Sequence, residues 1–171
     1  MNMSLKKLIV TSLYISVITT LLSCGGAKTP KPGETAPDFS LSSVDGQTYS
    51  LSGQKGKLTM VNFWTDNCDI CKKEFPMIEK YYKELAGEDL EILAVYIGES
   101  KTAPEEFKQN FGISFPILTG GQEVAFGQYN VRATPTNFLI NPEGKVIRKI
   151  VGFVDKQQIE NLLKSLKRHD G

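Results

Sequence analysis

The stretch Val61-Asn62-Phe63-Trp64-Thr65-Asp66-Asn67-Cys68-Asp69-Ile70-Cys71-Lys72-Lys73-Glu74-Phe75-Pro76 changes its period in the middle, and that change decides the fold. Residues 58–64 are a short, mostly apolar run without alternation, the pattern of a strand buried on both faces. Thr65-Asp66-Asn67 supplies helix-capping side chains. From Cys68 onward Phe75, Ile78, Tyr82 and Leu85 recur at spacings of three and four. This predicts a helix that Pro76 should kink and Gly87 should stop. Two cysteines therefore open a helix directly after a buried strand.

Outward from this core the same alternation continues. Residues 38–41 and 48–51 flank Asp45-Gly46, a strong hairpin signal. Residues 90–97 read as a second buried strand and residues 104–111 as a helix with Phe107 and Phe111 on one face. A short strand at 115–118 and a short helix at 122–129 follow. Residues 136–140 and 145–151 are two strands joined by Asn141-Pro142-Glu143-Gly144. Asp155 caps a final helix with Ile159, Leu162, Leu163 and Leu166 inward. Strand–helix alternation implies parallel strands with crossover helices, and the terminal hairpin adds antiparallel edges. The predicted class is α/β: a central mixed β-sheet, helices on both faces and an extra N-terminal β-hairpin.

Composition narrows the function. Twenty Lys+Arg against 19 Asp+Glu give the 171-residue chain a formal charge of +1. That balance argues against nucleic acid as a partner, because such binding needs a dense basic patch to displace counterions. With 40% hydrophobic residues and little net charge, the chain is not of the disordered class. Three cysteines are too few for a disulfide scaffold, and their odd number leaves one without a partner.

The unpaired cysteine has a separate use. Lys6 and Lys7 precede an apolar run, residues 8–22, which is short of the roughly 17–25 residues of a membrane span and suits a signal-peptide core. The run ends in Leu21-Leu22-Ser23-Cys24, which resembles the bacterial lipobox. Residues 1–23 then read as a lipoprotein signal peptide, and Cys24 as the lipidated mature N-terminus that holds the protein on a membrane. A secretory signal with an incidental cysteine, or an uncleaved anchor, is the plainer alternative. Gly25 stands at the second mature position where an Asp would resemble an inner-membrane retention signal, a lean towards the outer membrane. Residues 24–33 read as a flexible Gly/Pro/Lys tether and residues 34–171 as the folded domain.

The chemistry points to Cys68 and Cys71. At a helix N-terminus the free N–H groups and the dipole stabilise an anion, so a thiolate there is favoured and attacks in thiol–disulfide exchange. A spacing of three brings the second sulfur within bonding reach. Cys68, nearer the helix tip, should attack, and Cys71, one turn deeper, should resolve. A structural zinc site needs four ligands, and besides these two cysteines the mature chain adds only His169. A purely structural disulfide would close too short a loop to stabilise much. Redox use is the reading this placement favours, with no metal and no cofactor beyond the Cys68–Cys71 disulfide itself.

These residues resemble the active-site segment of thioredoxin-fold proteins, and more narrowly the extracytoplasmic TlpA/ResA-like thiol–disulfide oxidoreductases of the AhpC/TSA-redoxin kind. Thr134-Pro135-Thr136 with Phe138-Leu139-Ile140-Asn141-Pro142-Glu143-Gly144, and the opening Ala36-Pro37-Asp38-Phe39, match that group in the right order. The resemblance implies a thioredoxin fold with Pro135 at the position of the family's cis-proline and the Thr134 backbone binding substrate. It implies that Glu74 tunes the cysteines; a solvated helix charge is the alternative. Trp64 is expected to pack at the site and contribute to substrate binding. Three departures stand out. Asn62 replaces the buried Asp of thioredoxins, which passes any proton-shuttling role to Glu74, and Asn67 replaces a frequent Trp. Asp69 beside Cys68 should disfavour the thiolate and lower the reduction potential.

The function expected is a membrane-tethered, extracytoplasmic reductase of protein disulfides. ResA-like relatives reduce apocytochrome c before haem attachment, so the resemblance implies that substrate. It also implies a membrane electron donor of the CcdA/DsbD type, since the compartment is oxidising. Two other functions compete. Thr65-x-x-Cys68 resembles part of the peroxiredoxin loop, which would make a thiol peroxidase, but Val61 stands where that motif has proline. A non-enzymatic lipoprotein using the fold for binding is the other.

Overall fold

Side chains of two central strands, buried throughout, point alternately to opposite faces and organise the molecule. The structure, a computed structural model, describes residues 28–85 and 90–167. In chain order its elements are β1 (Ser40–Ser42), β2 (Thr48–Ser50), a 3-10 turn (Ser52–Gln54), β3 (Leu58–Trp64), α1 (Asp69–Leu85), β4 (Leu90–Tyr96), α2 (Ala103–Phe111), β5 (Ile117–Leu118), a π-helical turn (Val124–Gln128), β6 (Thr136–Ile140), β7 (Val146–Val151) and α3 (Lys156–Lys167). The expected signal peptide, Cys24, Gly87 and His169 lie outside the described residues, as do the side chains of Leu85, Leu162 and Leu166. No described helix is long and apolar enough to cross a membrane.

The main sheet has the order β5-β4-β3-β6-β7. β3 pairs parallel with β4 and antiparallel with β6, so the mixed sheet reverses direction beside its central strand. β1 and β2 form a separate antiparallel pair, closed where Ser43 N–H donates to Gln47 O at 2.7 Å and Gly46 takes a φ of 79°. That positive φ is the reason a glycine follows Asp45. The hairpin strands are shorter than expected because Asp38 is used as a turn residue: its Oδ1 accepts from Phe39 N–H and Ser52 N–H, each at 2.9 Å.

Each strand face has its own core. Met60 and Trp64 of β3 join Ile92, Ala94 and Tyr96 of β4 against Phe75, Ile78, Phe107 and Ile159. Val61 and Phe63 join Leu93 and Val95 against Phe39, Val124 and Tyr129. Side chains of this size contribute roughly 1.5–3 kcal/mol each when fully buried, which is why both faces of β3 must be covered. The helices divide unequally: α1, α2 and α3 share one face, while the hairpin region and the short helix at residues 122–128 cover the other. That short helix widens to π geometry as Tyr129 N–H reaches back to Val124 O at 3.0 Å. Tyr129 is drawn inward, its ring centroid 5.2 Å from that of Phe63 and 4.9 Å from that of Phe138, the latter edge-to-face, with its hydroxyl donating to Pro37 O at 2.7 Å.

The segment read as a free tether is partly bound. Pro30 is buried, and Asn130 Nδ2 donates to Thr29 Oγ1 at 3.0 Å. Gly33 N–H donates to Val146 O at 2.8 Å, and Val146 N–H to Glu34 O at 2.9 Å. Residues 28–34 therefore form a strap whose last two residues pair with Val146 at the start of edge strand β7, supplying partners to a strand whose outer hydrogen bonds would otherwise face solvent.

Candidate active site

β3 delivers its last residues to the same end of the sheet from which α1 starts. Cys68 is half-buried and Cys71 is completely buried; a disulfide joins them, with Cα atoms 5.2 Å apart. The Cys71 N–H, one of the donors a helix start leaves free, points at Cys68 Sγ at 3.1 Å. A thiolate on Cys68 would meet that donor and the positive end of α1. Cys71 instead sits in the apolar cluster with Trp64 and Phe75. One sulfur is thus turned towards solvent and the other towards the core. Asp69 does little to oppose a thiolate here: its side chain is 88% exposed and 3.7 Å from Lys72 Nζ, so water and a counter-charge screen it.

The loop before Cys68 is held from two sides. Tyr96 hydroxyl donates to Asp66 Oδ1 at 2.6 Å while accepting from Ser100 N–H at 3.2 Å. Thr65 Oγ1 donates to Asn67 Oδ1 at 2.7 Å and lies 3.4 Å from Thr134 Oγ1. This last contact brings the Thr134–Pro135 segment against the cysteine loop. The Thr134–Pro135 peptide bond is cis, and Pro135 O accepts from Gly152 N–H at 2.8 Å. Thr134 is half-buried and Pro135 buried.

Trp64 needs correcting as a substrate-binding residue. It is 0% exposed, with its ring centroid 4.8 Å from Phe75, 5.0 Å from Tyr96 and 4.6 Å from Phe107. Three aromatic rings enclose it, so it supports the site from beneath and presents no surface to a substrate.

Glu74 is not a solvated helix charge, since it too is 0% exposed. Val154 N–H donates to its Oε1 at 2.8 Å, Asn137 Nδ2 to Oε1 at 3.3 Å and Asn62 Nδ2 to Oε2 at 3.2 Å. Burial pushes its pKa up to about 7, against the pull of these three donors towards the charged form. A carboxyl group that changes charge near neutrality therefore lies one helical turn beyond Cys71. Among the described residues, no group of three or more His, Cys, Asp or Glu is placed to hold a metal ion.

The AhpC/TSA family profile matches residues 32–149, a span that includes both cysteines, Glu74 and Pro135. The chain belongs to the AhpC/TSA family. Within that family it is 37% identical over 142 residues to the thiol-disulfide oxidoreductase ResA of Bacillus subtilis, covering 83% of this chain and 79% of the relative. A thiol:disulfide interchange protein of Chlorobium tepidum superposes with a TM-score of 0.71 at 26% identity, covering 81% of this chain and 99% of that one. The pneumococcal exposed lipoprotein thioredoxin of Streptococcus pneumoniae superposes with a TM-score of 0.63 at 34% identity, covering 76% and 100%. This AhpC/TSA member has the thioredoxin fold and is a ResA-like oxidoreductase whose chemistry belongs to a Cys-x-x-Cys pair.

Of the residues expected from sequence, the structure joins Cys68 to Cys71 in a disulfide, places Glu74 on the same helix as Cys71 and sets Thr134, next to the cis Pro135, against Thr65 in the loop before Cys68. Sequence reasoning passed over Asn137, the Val154 N–H and the Tyr96–Asp66 pair. Asn137 did carry a signal, since it is a polar residue inside the apolar run Thr136–Ile140. The other two carried none, because a backbone donor has no side chain to notice and a tyrosine on a buried strand reads as core.

Proposed function

We propose that this chain is a lipid-anchored, extracytoplasmic reductase of protein disulfides. The observation that carries the reading is the pairing of a half-buried Cys68 at a helix start with a wholly buried Cys71, one turn before the buried Glu74. In the reduced protein the Cys68 thiolate attacks one sulfur of a substrate disulfide, with the substrate chain laid against the Thr134 backbone and Pro135. The substrate S–S bond breaks, its other sulfur leaves as a thiolate that takes a proton, and a mixed disulfide to Cys68 remains. Glu74 takes the proton of Cys71, whose thiolate attacks Cys68 Sγ. The second substrate thiolate leaves and is protonated. Two electrons have passed to the substrate, and the Cys68–Cys71 disulfide has formed.

In an oxidising compartment the disulfide must be reduced again, and a membrane dithiol donor of the CcdA/DsbD type is the proposed source. Apocytochrome c is the proposed substrate within the disulfide class, on the likeness to ResA-like relatives. Lipidation at Cys24 rests on the signal-like segment before it, and the likeness to a pneumococcal lipoprotein thioredoxin supports it.

Cys71→Ser tests the mechanism, because it removes the resolving thiol. The expected result is a mixed disulfide between Cys68 and substrate protein, released by dithiothreitol and identifiable by mass spectrometry. No trapped adduct, together with no insulin reduction by the wild-type dithiol, would overturn the reductase reading. Faster turnover of peroxide than of disulfide by the reduced protein would replace it with the thiol peroxidase.

A further inference from the structure

Asn62 and Asn137 stand opposite one another in the β3–β6 register, 1% and 0% exposed. Asn62 Nδ2 donates to Asn137 Oδ1 at 2.6 Å as well as to Glu74 Oε2 at 3.2 Å. Asn137 Nδ2 donates to Glu74 Oε1 at 3.3 Å and to Gly152 O at 3.1 Å. The two amides thus reach different oxygens of one carboxylate while also bonding to each other. Asn62 Oδ1, by contrast, is buried without a hydrogen-bond partner among the described residues. Its amide is oriented by what its N–H2 group holds. Packing does not ask for amides here. Met60 and Trp64 flank Asn62 on β3, and Leu139 follows Asn137 on the same face of β6, all in the apolar cluster beneath α1.

We propose that Asn62 and Asn137 are positioning residues for Glu74: a paired amide clamp that fixes both carboxylate oxygens and sets how tightly Glu74 holds a proton beside Cys71. The consequence for thiol chemistry rests on the reading of Glu74 as the proton acceptor for Cys71. The clamp works through hydrogen bonding to the charged form, which opposes the burial that favours the neutral form. Among the described residues, no formal charge competes with it. On α1, Lys72 and Lys73 are exposed, and Cys71 is the buried titratable neighbour. Asp155, after Val154, is exposed and caps α3 through Gln158 N–H. Lys156 of α3 is paired with Glu84 and Glu160. Among the described residues, the balance at Glu74 is set by burial against three N–H donors.

The test uses the reduced full chain. Asn62→Leu and Asn137→Leu keep the number and branching of side-chain heavy atoms and remove the donors; Asn137→Ser is the smaller variant if a leucine impairs folding. Glu74 is followed directly by the carboxyl C=O stretch in infrared difference titration, and Cys71 by alkylation rate against pH. Losing one charge-assisted donor should raise the Glu74 midpoint by about one pH unit, a roughly tenfold tighter hold on its proton. The Cys71 profile should move with it. An unchanged Glu74 midpoint in folded Asn137→Ser and in either leucine variant would overturn the clamp. A Glu74 midpoint that moves while the Cys71 profile stays fixed upholds the clamp and removes Glu74 from the proposed thiol chemistry.

Discussion

Glu74 makes the stability of this protein depend on pH in an unusual direction for a carboxylate. Its folded pKa, about 7, lies above the ordinary 4.5. Between these values the native state binds more protons than the unfolded chain, so stability is greatest at the acid end and falls as pH rises from about 4.5 to 7. A shift of that size corresponds to about 3 kcal/mol. Urea unfolding at pH 5 and pH 8 should show this loss in the wild type and its absence in Glu74→Gln. An equal loss in both proteins would mean that burial is not what raises the group. Cys68 and Cys71 differ at the same scale. Iodoacetamide should label Cys68 of the reduced protein well before Cys71, read by peptide mass, because only Cys68 reaches solvent.

At the scale of elements, the site depends on how strand ends meet the helix start. Tyr96, at the end of β4, holds Asp66 in the loop that ends at Cys68. A Cβ on Gly98 would overlap the Tyr96 hydroxyl and come within 2.8 Å of Asp66 Oδ1. Gly98→Ala should therefore cost about 1–3 kcal/mol, the usual range for overpacking, and slow insulin reduction by disturbing this loop. Thermal unfolding and turnover, measured together, check it; a neutral outcome in both would mean the loop is not held through Tyr96. At the other end of the chain, Asp155 Oδ1 accepts from Gln158 N–H at 2.9 Å and starts α3 as its sequence implied. Asp155→Ala should lose about 1 kcal/mol in urea unfolding. β3 and β6 were legible to the residue because short, mostly apolar runs end at polar or turn residues. The widened turn at Val124–Gln128 was not, since what shapes it is the inward pull on Tyr129 from Phe63 and Phe138.

For the whole molecule, the strap carries tertiary hydrogen bonds ahead of residue 34, at Thr29 and Gly33. A chain beginning at Lys28 should unfold at the same temperature as the full protein. One beginning at Asp38 loses the pairing with β7 and the burial of Pro30 and Ala36, and should melt lower by about 5 °C. Differential scanning calorimetry of the two truncations decides this, and equal melting points would show the strap to be passive.

The α/β order, the paired cysteines at a helix start and the turn residues were all carried by local information: hydrophobic period, capping residues and glycine. Those features act over a few residues, so they can be read in line. What could not be read that way was the environment each group acquires when distant segments meet. Asn62, Asn137 and Val154 come from three separate segments of the chain and converge on the one carboxylate of Glu74. Trp64 reads as a site residue and is sealed by Phe75, Tyr96 and Phe107 from three other segments. Burial and hydrogen-bond partners are properties of neighbours in space, and the proton affinity of Glu74 follows from those neighbours.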